Sequence, residues 1–118
     1  MNIGYNRNIY LLPFDHRHSY VTGMCGFTPP LSAAQHDAVT ASKRLIYDGF
    51  REGVTRGVPK AYAGLLVDEE FGGGILRDAA ASGYITVLST ETSGSDEFEF
   101  AYGEDFAAHI EAFAPSFA

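Results

Sequence analysis

The stretch that decides the fold is AGLLVDEEFGGG, residues 63–74. Its first five residues form an apolar run that predicts a buried strand, and three acids follow at the carboxyl end of that strand. Two other stretches repeat the plan of apolar strand, acid and turn: IYLLPFD at residues 9–15 and ITVLSTE at residues 85–91. Because the carboxyl ends of parallel strands face a common cleft, the three repeats predict one shared site.

Helical patterns separate these strands. Ser32 and Gln35 fit a capping box, and the helix that it opens ends before Gly57 and Pro59. The apolar residues expected on one face of this helix are Ala38, Ala41, Leu45, Ile46, Phe50 and Val54. A short amphipathic helix is expected after the glycines, and a last helix over residues 104–113. Alternating strands and helices predict a parallel sheet with right-handed crossovers.

The number of strand–helix units sets the predicted architecture. A complete (β/α)8 barrel takes about 250 residues, so a chain of this length supplies fewer than half of its strands. The prediction is an α/β fold: a single partial domain, residues 1–118, made of about the first three βα units of an incomplete TIM barrel. Residues 116–118 are expected to enter a further strand.

Composition and charge exclude several classes of partner. The chain has a net charge of −7, and its basic residues form no stripe, which argues against a nucleic-acid partner. No apolar run approaches the roughly 20 residues that cross a membrane, and the amino terminus lacks the layout of a signal peptide. The single cysteine, Cys25, is compatible with a reducing compartment. These features predict a cytoplasmic chain without a membrane partner.

The acids at the strand ends are candidate acid–base groups. Asp15, Asp68 with its neighbour Glu69, and Glu91 each follow an apolar strand. Carboxylates crowded in a cleft of low dielectric have raised pKa values and can transfer protons near neutral pH. Acids at these positions are also typical helix caps and first-turn residues. The spacing leaves both interpretations open.

Two further signals are weaker. His16 and His18 form an HxH pattern at the end of the first predicted strand, as in metal-dependent hydrolase barrels, where alternate strand residues project together. That alternative requires more ligands from later strands. The glycines at residues 72–74 offer amides to a phosphate, but they lack the lysine and hydroxyl of a P-loop. Lys60 precedes the second strand and is therefore expected at the opposite end of the sheet.

Four ordered motifs carry a resemblance to a known family: LLPFDHRHSY, AGLLVDEEFGGGI, TETSG with DEFEFAYGEDF, and IEAFAPSF. Together they resemble a bacterial domain known as the carboxyl-terminal half of a fusion with 5-dehydro-2-deoxygluconokinase, the sugar kinase of myo-inositol catabolism. That domain is described as 2-deoxy-5-keto-gluconate 6-phosphate aldolase-like. More distantly, the layout is similar to tagatose-1,6-bisphosphate aldolase, a class I aldolase barrel.

The resemblance implies a carbon–carbon lyase that acts on a phosphorylated keto-sugar acid or sugar phosphate without a metal or other cofactor. The residues expected to be catalytic are Asp15, Asp68 and Glu91. Those expected to bind substrate are Arg17, Glu70, Ser93 and Gly94.

Two departures from the family pattern predict that this chain is inactive on its own. Thr92 stands where the third motif of the family usually has lysine, and the imine-forming lysine of class I aldolases lies on a later strand. Without that amine there is no electron sink for carbon–carbon cleavage. A third interpretation is therefore a non-catalytic half-barrel that binds a complementing chain or a second copy of itself.

Overall fold

The computed structural model describes residues 5–118. The strands are β1, Tyr10–Pro13; β2, Ala63–Asp68; and β3, Ile85–Ser89. The helices are α1, Ala33–Thr55; α2, Glu69–Ala81; and α3, Phe106–Phe113. A π-helical turn, Tyr20–Met24, lies in the long loop before α1, and short 3-10 turns precede β2 and α3. The predicted alternation of strands and helices is confirmed.

All three strands are parallel, in the order β1-β2-β3. In the register, Leu65 lies opposite Leu12 on one side and Thr86 on the other. After α3, Phe117 forms an isolated parallel bridge with Val87 beside β3. This bridge agrees with the expected strand entry at residues 116–118. The structure thus has a parallel βα-repeat organised around β2.

The glycine triplet lies inside α2 rather than before it, because Asp68 caps the helix and α2 begins at Glu69. Gly72 is the residue through which α2 packs most closely on β2. A Cβ at that position would lie 2.4 Å from Cγ2 of Val67. The prediction that the helix begins after the glycines is therefore wrong, and Gly72 lets the helix pack closely on the strand.

β1 is less covered than its sequence predicts. A continuous apolar run suggests a strand buried on both faces, yet Tyr10, Leu11 and Leu12 are 56%, 43% and 38% exposed. The reason is its place in the sheet, because within residues 5–118 only β2 pairs with β1. β1 is therefore an edge strand with apolar side chains at the surface.

α1 begins as predicted, with reciprocal hydrogen bonds between Ser32 and Gln35. Its buried face is different: Val39, Lys43 and Tyr47 are buried, whereas Leu45 is 72% exposed. The buried residues follow one another at intervals of four, so they form one stripe along the helix. The predicted face is wrong at Ala38, Ala41 and Leu45, which are exposed, whereas Ile46 and Phe50 pack against the core.

In the described part of the chain, no helix is both long and apolar enough to cross a membrane.

Candidate functional site

Residues from the first and third strand ends meet across the end of β2. Arg17, in the segment after β1, donates a hydrogen bond from Nη2 to the carbonyl oxygen of Glu91 at 2.7 Å. The same nitrogen lies 3.5 Å from Oε1 of Glu91 and 3.4 Å from Oγ of Ser89. Asp15 and Asp68 lie at this same edge, since they follow and end parallel strands. The predicted residues therefore share one edge of the sheet.

Glu91 is held as a carboxylate. Burial by itself raises its pKa, but the Ser89 hydroxyl, nearby backbone amides and the Arg17 charge together outweigh burial, and the pKa is lowered. The Ser89 hydroxyl donates to Oε1 at 2.7 Å. Glu91 therefore acts here as a charged anchor for Arg17.

Asp68 is fully buried, and both of its oxygens are occupied. Oδ1 accepts a hydrogen bond from Nζ of Lys43 at 2.5 Å, and Oδ2 accepts one from the backbone amide of Phe71 at 2.9 Å. The sequence predicts Asp68 as an acid–base group in the cleft, but this geometry makes it a helix cap and half of an ion pair. A substrate has no access to its carboxylate.

Lys43 is the residue that sequence reasoning missed. Its ammonium group also donates to the carbonyl oxygens of Phe14 and His16, both at 2.8 Å, so three acceptors satisfy its three donors. The group lies 5.2 Å from the ring centre of Tyr20. In the sequence, Lys43 lies four residues after Val39 and therefore on the same helical face. A buried helical face usually carries an aliphatic residue there, so the lysine gives little sign of its burial.

A cavity of about 550 Å³ opens at this edge of the sheet. Three of the predicted substrate-binding residues, Arg17, Glu70 and Ser93, line it; Gly94 and Asp15 are not among its lining residues. The other lining residues are His18, Val21, Pro29, Pro30, Leu31, His36, Phe71, Thr92 and Ala101. Its charged groups are Arg17 and Glu70, and hydroxyls and two imidazoles complete its polar side. This composition suits a small polar ligand with an anionic group.

The HxH pattern does not form a metal site. β1 ends at Pro13, so His16 and His18 lie in the following loop and helical turn, where strand alternation does not apply. His18 lines the cavity, whereas His16 is not among its lining residues. Within residues 5–118 no group of three or more His, Cys, Asp or Glu side chains is arranged to hold a metal ion.

A second polar cluster joins α2 to α3 beside the cavity edge. Nδ1 of His109 lies 2.8 and 2.7 Å from the two carboxylate oxygens of Glu69, and Tyr102 stacks on the imidazole with ring centres 3.6 Å apart. Partial burial, followed by the charges of Glu69 and Glu70, raises the pKa of Tyr102. The contact between His109 and Glu69 links α3 to the first residue of α2.

Comparison with known proteins identifies a family but no individual relative. Residues 4–115 match the model of a family described as an uncharacterized protein conserved in bacteria, DUF2090. No curated protein matches the chain. No solved structure matches it either.

Proposed function

The chain belongs to the DUF2090 family, and we propose that it is the amino-terminal part of a class I aldolase-like lyase. In this proposal it forms the first βα units of a TIM barrel and binds a phosphorylated keto-sugar acid or sugar phosphate, of the inositol-catabolism type that the motifs resemble. The observation that carries the proposal is the polar cavity at the carboxyl edge of a parallel sheet, the edge at which barrel enzymes place their sites.

Arg17 is the residue that best supports an anionic ligand. Its guanidinium is held by Glu91 and Ser89 before any ligand arrives, so little side-chain entropy remains to be lost on binding. A fixed guanidinium suits a charge-assisted hydrogen bond to phosphate or carboxylate. Glu70 and Ser93 line the same cavity and can bond to sugar hydroxyls.

The lysines of this chain do not suit imine chemistry. Lys43 is fully buried with three hydrogen-bond acceptors, and Lys60 precedes β2, at the end of the sheet opposite the cavity. An imine-forming amine must reach the substrate carbonyl. The proposed lyase therefore depends on a lysine from later strands, and this chain alone is expected to bind substrate without cleaving it.

Calorimetric titration with 2-deoxy-5-keto-gluconate 6-phosphate tests binding. We expect Arg17→Gln to weaken binding by about tenfold or more, since a charge-assisted hydrogen bond is lost. Arg56→Gln, at an exposed arginine after α1, is the matched control and should bind like the wild type. Equal affinity of the wild type and Arg17→Gln would remove Arg17 from the proposal.

Borohydride trapping with the same ligand tests the chemistry. No reduced adduct is expected on Lys43 or Lys60 of this chain, whereas a polypeptide that adds the later strands should give an adduct and cleave the substrate. Mass spectrometry of the peptides locates any adduct. An adduct on Lys43, or cleavage by this chain alone, would contradict the assignment of imine chemistry to later strands.

A second candidate function is that of an interaction module. The exposed apolar residues Tyr10, Leu11 and Leu12 lie on β1, whose outer edge has no strand partner within residues 5–118. Such an edge favours pairing with a strand of a second copy or of a complementing chain. Sedimentation velocity should then show association that Tyr10→Arg weakens and Leu45→Arg, on exposed α1 surface, leaves unchanged. Monomeric wild type at all concentrations, and no complex with the complementing chain, would exclude this function.

A further inference from the structure

We propose that His18 and His36, together with Arg17, form a phosphate-monoester subsite in the cavity. All three residues line the same space, Arg17 and His18 from the segment after β1 and His36 from α1. The sequence predicts His18 only as an alternative metal ligand and assigns no role to His36. This inference rests on the proposed function, because it specifies which residues bind the phosphate group of the proposed sugar ligand.

His18 is brought to the cavity by the segment that also carries Arg17. It begins the helical turn after β1, and its carbonyl oxygen accepts a hydrogen bond from Oγ1 of Thr22 at 2.9 Å. The imidazole itself forms no hydrogen bond within residues 5–118, and the residue is exposed. Its ring nitrogens therefore remain accessible to a ligand.

His36 reaches the cavity from the first turn of α1. Its backbone amide donates to the carbonyl oxygen of Ser32 at 2.9 Å, and its ring packs on Phe71 with centres 4.8 Å apart. Leu31, next to the cap, also lines the cavity, so the space lies beside the amino terminus of a 23-residue helix. The dipole of that helix favours an anion there.

The three groups suit a phosphate better than a neutral sugar. Arginine and imidazole N–H groups each donate hydrogen bonds to phosphate oxygens. The charged residues that line the cavity with the two histidines are Arg17 and Glu70, and Glu91 pairs with Arg17. A phosphate monoester should therefore bind more tightly than the unphosphorylated sugar.

Calorimetric titration tests this subsite. The probes are inorganic phosphate, 2-deoxy-5-keto-gluconate 6-phosphate and its unphosphorylated form. We expect His18→Gln and His36→Gln each to lower the preference for the phosphorylated ligand by about tenfold. His16→Gln is the matched control, since this exposed histidine lies two residues from His18 and does not line the cavity. Circular dichroism and thermal melts should show that all three variants keep the wild-type fold.

The outcomes separate this inference from the proposed lyase. Wild-type protein that binds no phosphate probe, or folded His18→Gln and His36→Gln variants that keep the full phosphate preference, would overturn the subsite. A loss as large in His16→Gln would overturn it as well. Histidine-dependent phosphate binding supports the subsite even if the polypeptide with the later strands cleaves no keto-sugar phosphate. In that event only the lyase proposal fails.

Discussion

Lys43 and Asp68 form a fully buried ion pair, with Nζ 2.5 Å from Oδ1, at the point where α1, β2 and α2 meet. The same ammonium group binds the carbonyl oxygens of Phe14 and His16, on either side of Asp15. One lysine side chain therefore fixes the segment that leads to Arg17. Neither residue lines the cavity.

Replacing Lys43 by methionine should destabilise the protein by about 3–5 kcal/mol, because it leaves the Asp68 carboxylate buried without its partner. Two carbonyl oxygens lose their donor at the same time. Urea unfolding followed by circular dichroism gives the free energy. Arg44→Met is the control: Arg44 pairs with Asp78 at the surface, where both side chains are more than 40% exposed, and its loss should cost at most about 1 kcal/mol.

The double variant Lys43→Met/Asp68→Asn distinguishes an uncompensated charge from lost packing. Asparagine keeps an oxygen for the Phe71 amide but carries no charge, so part of the lost stability should return. A double variant that is less stable than Lys43→Met would show that the buried charge is not the main cost.

The glycines of α2 give a second prediction. Gly72→Ala should destabilise by about 1–3 kcal/mol, since the added methyl would lie 2.4 Å from Val67 and force the helix away from β2. Gly74→Ala is the matched control in the same helix, with nothing within 4 Å of its Cβ. It should stabilise by about 0.5–1 kcal/mol through helix propensity. Equal effects of the two substitutions on urea unfolding would contradict the close helix–strand contact.

The face of α1 gives a third prediction. Val39 is 0% exposed and packs with Val21 and Phe71, whereas Leu45 is 72% exposed. Val39→Ala should therefore cost about 1–3 kcal/mol, and Leu45→Ala about 0.5 kcal/mol or less. Thermal melts of the two variants compare them directly. If Leu45→Ala were the more damaging, the face predicted from the sequence would be the buried one.

The strands and helices were predictable because their patterns are local. Apolar runs, the Ser32–Gln35 capping box and turn residues specify where elements begin and end. What failed depends on tertiary context. The exposure of Leu11 follows from the edge position of β1, and the burial of Lys43 follows from acceptors 25 to 29 residues away. No periodicity encodes such partners.

The same distinction between local pattern and tertiary context applies to the candidate site. Parallel topology predicts that the acids share one edge of the sheet, as the structure shows. It does not predict which carboxylate is accessible. Asp68 forms an ion pair and caps a helix. Glu91 binds Arg17, and Glu70 lines the cavity. Their catalytic and binding roles stay predictions.

The last prediction concerns Glu91, whose pKa is below its ordinary value of 4.5 in the folded protein. A carboxylate with a lowered folded pKa stabilises the protein above its unfolded pKa, and this contribution is lost as the pH falls through the folded pKa. Ser89→Ala removes a hydroxyl that donates to the charged form at 2.7 Å, so the pKa of Glu91 should rise. Above the unfolded pKa of Glu91, the charged carboxylate should therefore stabilise the variant less than it stabilises the wild type. The pH dependence of the Glu91 Cδ chemical shift gives the pKa directly.

Ser93→Ala is the control for this titration, because Ser93 is exposed and the serine hydroxyl that donates to Glu91 is that of Ser89. Its Glu91 pKa should equal that of the wild type, while Ser89→Ala alone shifts upward. Arg17 should also loosen in Ser89→Ala, since it lies 3.4 Å from that hydroxyl and depends on a charged Glu91. Weaker phosphate binding at acidic pH in Ser89→Ala than in the wild type would follow. An unchanged Glu91 pKa in Ser89→Ala would show that the hydroxyl does not hold the carboxylate ionised, and that Arg17 and the backbone amides are sufficient.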